Sequence, residues 1–221
     1  LLLWILCNLT YQEIRDKLQD KDGVFQKKLI EYLESVHVGE FQTGTQEQVV
    51  ERAAEEERLR PANSEDPYLN PIETLPLPPP EKCSVNCGTC DLCQSYNTWY
   101  SCYVTMTDDI ISKSNIHKCG KQYTGCMDNK WGKCRARFPR IIVEKSYVDD
   151  ESKGLILKKK EEWINTYTPV LSYLFRCNTD VTSLKSGTAA NGIVRYATDY
   201  VTKSSLKTRV IFETIRSMFE R

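Results

Sequence analysis

The chain has 221 residues, 40% of them hydrophobic and 27% charged, with thirty basic residues set against thirty acidic ones. That length suffices for one fair-sized core or two small ones. A formal net charge of zero excludes any case for nucleic-acid binding from overall electrostatics, so such a case must come from local clustering.

The opening run Leu1-Leu2-Leu3-Trp4-Ile5-Leu6-Cys7 is apolar but too short to span a bilayer, and it has no basic leader or small-residue cleavage site. It reads as a buried strand, and a chain that begins inside a core strand reads as a piece of something larger. No membrane partner is expected. Residues 10–36 carry two helical patterns, one over Tyr11 to Leu18 and one with Phe25, Leu29, Tyr32, Leu33 and Val36 at helical spacing. Thr45 and Gln48 form a capping-box pattern ahead of a Glu-rich helix over 46–60. Seven of the nine prolines fall between Pro61 and Pro80. Such density forbids a helix and disfavours a sheet, so 61–80 reads as an extended linker.

A cysteine-rich module follows over 81–140. Eight of the ten cysteines lie between Cys83 and Cys134. Nothing in the sequence supports an oxidising compartment, so an intracellular metal-binding role is the better reading than disulfides or ordinary buried thiols. Cys83, Cys87, Cys90 and Cys93 place four thiols in eleven residues, and Zn²⁺ takes four soft ligands in a tetrahedron. This spacing is tight for one ion. The thiols are also open to sharing with a second cluster, with Cys102 as a substitute ligand. The second cluster is His117, Cys119, Cys126 and Cys134, one histidine and three cysteines over eighteen residues, which suits a closed structural zinc site. Between Lys118 and Lys145 there are eight Lys or Arg and two acidic residues. Lys130, Lys133, Arg135, Arg137 and Arg140 are the centre of this strip, with Trp131 and Phe138 interleaved. Basic side chains neutralise phosphates and aromatics stack on unpaired bases. A solvated basic face beside the metal, with the aromatics packed inward, is the other reading.

From 141 to 221 the pattern is mixed. A hairpin-like polar stretch lies around Asp149 to Gly154, an apolar run covers Val170 to Phe175, and Arg176 to Val181 reads as a strand. Helices are expected over about 187–203 and 205–220. On the first of these, Tyr196, Tyr200 and Lys203 share one face, about a quarter turn from the aliphatic stripe of Ala190, Ile193, Val194, Ala197 and Val201. A tyrosine hydroxyl can attack phosphorus and hold a DNA end as a phosphotyrosine once it is activated, and a nearby lysine can stabilise the developing charge. Spacing alone favours a half-buried packing pair, because tyrosines four apart on a helix are usually structural. The fold class expected is α+β, an antiparallel sheet with flanking helices plus the small cysteine-rich zinc module.

Several stretches, in their order, resemble Helitron transposases. Gly132-Lys133-Cys134-Arg135-Ala136-Arg137-Phe138-Pro139 resembles the family's G-K-C-x-x-x-F-P signature. Asn165-Thr166-Tyr167-Thr168-Pro169-Val170-Leu171 resembles its Y-N-P-x-L stretch, and Arg176-Cys177-Asn178-Thr179-Asp180 its H-x-N-x-E strand. Tyr196-Ala197-Thr198-Asp199-Tyr200-Val201-Thr202-Lys203 resembles its Y-x-x-x-Y-x-x-K motif. The likeness covers about 115–205 well and the rest more loosely.

The resemblance implies a rolling-circle Rep nuclease of HUH type that nicks and joins single-stranded DNA, located in the nucleus and fused to or neighbouring a DNA helicase. Tyr196 and Tyr200 would be the nucleophiles, Lys203 their assistant, and Mg²⁺ or Mn²⁺ the cation of the intact nuclease. On this view 1–60 and 141–221 are two parts of an incomplete Rep-like domain. The cation-binding histidine pair of the family has no counterpart, because the sequence holds only His37 and His117 and no H-x-H pair. The run Leu1 to Leu6 resembles the continuation of the strand that would carry it, so the chain by itself is expected to be inactive. Arg176 and Asp180 stand where the family has His and Glu, leaving Asp180 as a candidate divalent-cation ligand, and Thr202 replaces a frequent aromatic. No G-x-x-x-x-G-K-[ST] phosphate loop is present, so no helicase motor lies in these residues. The rival expectations are a non-enzymatic, zinc-dependent nucleic-acid-binding module and a degenerate transposon relic.

Overall fold

A computed structural model describes residues 9, 11–19, 23–85, 87–119, 125–127, 132–149, 151, 154–182, 192, 194, 195, 197 and 198. The chain divides into two compact units, one of residues 1–17 with 183–221 and one of residues 18–182. Helix α1 (Tyr11–Gln19) has residues 11–17 in the first unit, which is also helical at 192, 194, 195, 197 and 198. All that follows concerns the second unit.

Helix α2 (Val24–Val36) begins after Gly23 and ends where the His37 N–H donates to Leu33 O at 2.8 Å. Helix α3 (Gln46–Leu59) has the capping box expected from its sequence. The Gln48 N–H donates to Thr45 Oγ1 at 3.4 Å and the Thr45 N–H to Gln48 Oε1 at 2.9 Å, so each side chain satisfies the other residue's backbone N–H. Helix α4 (Asp91–Ser114) is the longest described, at 24 residues, and no sequence pattern announced it. Three of its hydroxyls turn back on the helix itself. The hydroxyls of Thr107, Ser112 and Ser114 donate to the carbonyls of Tyr103, Asp109 and Ile110 at 2.7–2.8 Å.

The apolar run at 170–175 is helix α5 (Pro169–Phe175), opened by a proline at its first position, where no N–H is needed. It stops at Arg176, whose φ of 51° is left-handed. The strand expected over 176–181 is therefore absent. The reason is that the Arg176 guanidinium turns back to donate to Pro71 O at 2.7 Å, Thr74 Oγ1 at 2.5 Å and Leu75 O at 3.2 Å. Residues 61–80 carry no helix or strand, and these bonds tie them to the end of α5.

The described sheet is small: β1 (Tyr147–Val148) pairs antiparallel with β2 (Leu155–Ile156), Tyr147 opposite Ile156, and the Asp149 N–H closes the turn on Gly154 O at 2.8 Å. This is the hairpin read from the polar stretch between them. The pairing resumes at Val143 and Lys159, which exchange two 2.8 Å bonds. Three residues lie between 143 and 147 and two between 156 and 159, so one side carries an extra residue. Ser146 marks the bulge, its Oγ accepting from the Lys158 N–H at 2.8 Å. The class is α+β: helices and a small two-stranded antiparallel sheet among the described residues.

The core gathers Phe41, Val49, Ile111, Ile164 and Tyr167, with Val38 and Ile116 packed on it. Burying each of these large side chains contributes about 1.5–3 kcal/mol. Two isolated bridges stitch it, Val38 with Tyr167 and Ile116 with Ile164. Inside it lies the fully buried Asp108 carboxylate, which accepts from the backbone N–H groups of Gln42 and Thr43 and from the Thr43 hydroxyl at 2.6–3.0 Å. Those bonds fix the loop between α2 and α3 to the last turns of α4.

Candidate metal centres

Both centres are built at the ends of α4. At its start, Cys90 is the N-cap with extended backbone (φ −77°, ψ 164°) and Cys93 lies in the first turn, 5% exposed. Cys83 and Cys87 approach from the preceding loop, which reverses at Gly88 with φ +81°, a conformation that suits glycine. Cys83, Cys87, Cys90 and Cys93 bring their sulfurs within 4.8 Å of one another. Cys83 to Cys87 and Cys87 to Cys93 are each 3.9 Å, and the Gly88 N–H donates to Cys93 Sγ at 3.2 Å. The four thiols thus form one local group, and Cys102, nine residues further along α4 and exposed, belongs to neither centre.

The site is graded electrostatically. Backbone N–H groups of Thr89 and Cys90 hold the Cys87 thiol down at about 6. Those of Cys87 and Val85 lower Cys83 as well. Cys93 accepts from Gly88, yet burial and the neighbouring sulfurs push it up to about 11. A helix N-terminus favours thiolate, and a cation among four sulfurs would relieve their mutual repulsion.

Beyond the other end of α4, His117 is set by its neighbours: its N–H donates to Trp163 O at 2.7 Å, next to the Ile116–Ile164 bridge. Cys126 and Cys134 are drawn together by the bridge between Met127 and Cys134 and by the Arg135 N–H, which donates to Cys126 O at 2.7 Å. Gly132 (φ +62°) and Arg137 (φ +63°) are both left-handed here. The ligand atoms of His117, Cys119, Cys126 and Cys134 also lie within 4.8 Å of one another, His117 Nε2 being 3.3 Å from Cys134 Sγ. Burial, helped by the Arg140 charge, lowers the His117 pKa and favours the neutral ring that a metal requires. Burial and the neighbouring sulfurs of Cys134 and Cys126 raise Cys119 to about 11. Cys134 is opposed by burial but lowered on balance, chiefly by the backbone N–H groups of Phe138 and Ala136.

Each group could hold one metal ion, and each is a complete set of four. The remaining histidine, His37, lies at the end of α2 with Nδ1 3.2 Å from Leu33 O and joins neither group. Sequence reading missed how His117 is held. Its ring stacks on the buried Phe138, centroids 4.2 Å apart and 12° from parallel, and the Arg140 guanidinium lies 4.5 Å from the Phe138 centroid. The only signal available was the phenylalanine four residues after Cys134.

Of the basic strip, Lys133, Arg135 and Arg137 are exposed and Arg140 is half-buried. Arg135 donates to Gly125 O at 3.0 Å and Arg140 to Asn165 Oδ1 at 3.3 Å. Lys130 lies outside the described residues, as do Tyr196, Tyr200 and Lys203. Asp180 is exposed and belongs to neither metal group. Among the described residues no helix is long and apolar enough to cross a membrane. No family model, no curated protein and no solved structure matches the chain.

Proposed function

We propose that the chain is a zinc-organised, single-stranded-DNA-binding part of a Helitron-like rolling-circle nuclease. The observation that carries the zinc assignment is the pair of four-ligand groups, Cys₄ and HisCys₃, with all ligand atoms of each within 4.8 Å. Tetrahedral Zn²⁺ with bonds of about 2.3 Å to sulfur sets sulfurs about 3.8 Å apart. The separations of 3.9 Å in the first group fit that radius. Both sets leave no open coordination position, so the metal's role is structural.

DNA contact is assigned to the loop that carries Cys134. Metal binding there would fix Lys133, Arg135 and Arg137 as one exposed cationic surface that neutralises phosphates. The motif Gly132 to Pro139, which supports the family reading, supplies a left-handed glycine, a metal ligand and the phenylalanine under His117.

In this reading the hydroxyl oxygen of Tyr196 or Tyr200 bonds to phosphorus as a 5′-phosphotyrosine, the bond from phosphorus to the 3′ oxygen breaks, the phenolic proton ends on that 3′ oxygen, and Lys203 stabilises the negative charge on the phosphoryl oxygens. Mg²⁺ or Mn²⁺ would polarise the phosphate. The sequence has no H-x-H pair, so cleavage requires cation ligands from outside these residues. A nuclear location and a fused or neighbouring helicase belong to the same reading.

The test is zinc content and the salt dependence of binding to oligo-dT. Two zinc ions per chain are expected, with a log–log slope of about −2 for three phosphate contacts. Zinc-free folded protein, or a slope near zero, sinks the proposal. The second reading, a binding module without tyrosine chemistry, is favoured by the closed ligand sets. Covalent adducts with nicked DNA, formed with an added HUH cation site and lost in Tyr196→Phe with Tyr200→Phe, would decide against it.

A further inference from the structure

Residues 75–80, Leu-Pro-Leu-Pro-Pro-Pro, are held by their backbone and show four of their six side chains to solvent, with Pro76 and Pro80 half-buried. Arg176 donates to Leu75 O at 3.2 Å. The Leu77 N–H donates to Tyr173 Oη at 3.0 Å, and Leu77 O accepts from the Tyr173 hydroxyl at 3.0 Å and from Trp99 Nε1 at 3.1 Å. On either side the segment is moored, by the Arg176 bond to the buried Pro71 and by Lys82, whose Nζ sits 4.7 Å from the Tyr96 ring centroid. Yet Leu75 is 86% exposed and Leu77 68%, and Pro78 and Pro79 are exposed as well.

Four of the six residues are prolines with φ fixed near −65°, and each leucine precedes a proline, which keeps it extended. The segment is thus confined to polyproline-II geometry, about 19 Å long at about 3.1 Å per residue, or two turns. A chain that grips such a segment by its carbonyls has already ordered a ligand without burying its apolar side chains. Strand addition is excluded as a mode of recognition, because the one backbone N–H within 76–80 is Leu77's and Tyr173 holds it. A helical groove-binder is excluded by the prolines. What fits is an aromatic-lined groove that reads proline rings and leucines on an extended peptide.

We propose that residues 75–80 are a preordered docking peptide for a protein domain of the polyproline-reading kind. This surface is independent of the zinc and DNA reading. The test titrates the full 221-residue chain with a panel of SH3, WW and EVH1 domains, beside a free peptide of residues 72–83. At least one domain is expected to bind the chain, and Pro76→Ala with Pro79→Ala is expected to weaken it at least roughly tenfold, since both rings lie on one edge of a three-residue turn. The chain is expected to bind more tightly than the free peptide, because its ordering cost is already met. Tyr173→Phe is expected to bring the chain down to the peptide's affinity, while the peptide, which lacks residue 173, sets the reference. No binding across the panel overturns the proposal. So does binding by the peptide but not the chain, and so does binding to the chain that ignores the double proline substitution.

Discussion

His117 and Phe138 lie face to face with ring centroids 4.2 Å apart. The phenylalanine follows Cys134 by four residues, so one short loop supplies a ligand of the second metal group and the surface that orients another. Partners that orient a metal-binding histidine are typically worth 10–100-fold in affinity. Phe138→Ala is therefore expected to weaken metal retention about 10–100-fold at the second group and to leave the first unchanged. Chelator competition on the Co²⁺-loaded protein reads both groups. Equal loss at the two, or none, would show that the stack does not position the ring.

Asp108 is the densest polar anchor in the core. Its carboxylate serves Gln42, Thr43 N–H and the Thr43 hydroxyl in the same place. Asp108→Ala leaves buried donors unpaired at about 1–3 kcal/mol each, so a loss of about 3 kcal/mol or more is expected. Urea unfolding of the metal-loaded protein checks it through a lower midpoint at unchanged slope.

The cap of α3 makes a smaller and sharper case. Thr45→Ala should cost about 1 kcal/mol. Gly44→Ala should cost a similar amount by another route, since a Cβ there would meet Gln48 Oε1 at 2.6 Å and turn that side chain out of the box. If Gly44→Ala is neutral in thermal unfolding while Thr45→Ala is not, the Gln48 half of the box contributes nothing.

Lys159 links stability to pH. Burial, with the Arg140 charge, lowers its pKa to about 8, against the pull of Asp180 and Glu161, while Nζ donates to Ile164 O at 2.9 Å. Below pH 8 both folded and unfolded states carry the proton, and the cost of the buried charge is present in full. Between about 8 and the unfolded value near 10.4 the unfolded chain binds more protons, so stability rises with pH. The gain is on the order of 1–2 kcal/mol after discounting for partial exposure. Lys159→Met should remove this rise, and denaturant midpoints at pH 7 and pH 9.5 for the two proteins measure it. Parallel pH profiles would refute the assignment.

Local signals in the sequence proved legible where local chemistry decides the structure. Thr45 with Gln48, and the polar turn between Val148 and Leu155, required only neighbours within a few residues. The eight metal-binding candidates were legible too, but their grouping was not, because spacing alone leaves Cys83 to Cys93 open to sharing. Helix α4 supplies what settles that, placing Cys90 and Cys93 at one end and His117 past the other. It was itself hidden, since Asn97, Thr98, Ser101, Thr105 and Thr107 are weak helix formers and the cysteines drew the eye to loops. The strand read over 176–181 failed for a long-range reason: Arg176 has its partners a hundred residues earlier, at Pro71 and Thr74.

The same arrangement sets an order of assembly. The metal groups close loops of eleven and eighteen residues, and both are complete once Cys134 has left the ribosome. The segments that close the core, around Lys159, Ile164, Tyr167 and Arg176, are made later and must find partners far back in the chain. Short closures are fast and distant ones slow. With metal bound, the nascent chain would thus carry two locked knots joined by a helix before Ile164 and Tyr167 close its hydrophobic interior, and cellular metal supply would govern folding yield rather than only the stability of the finished protein.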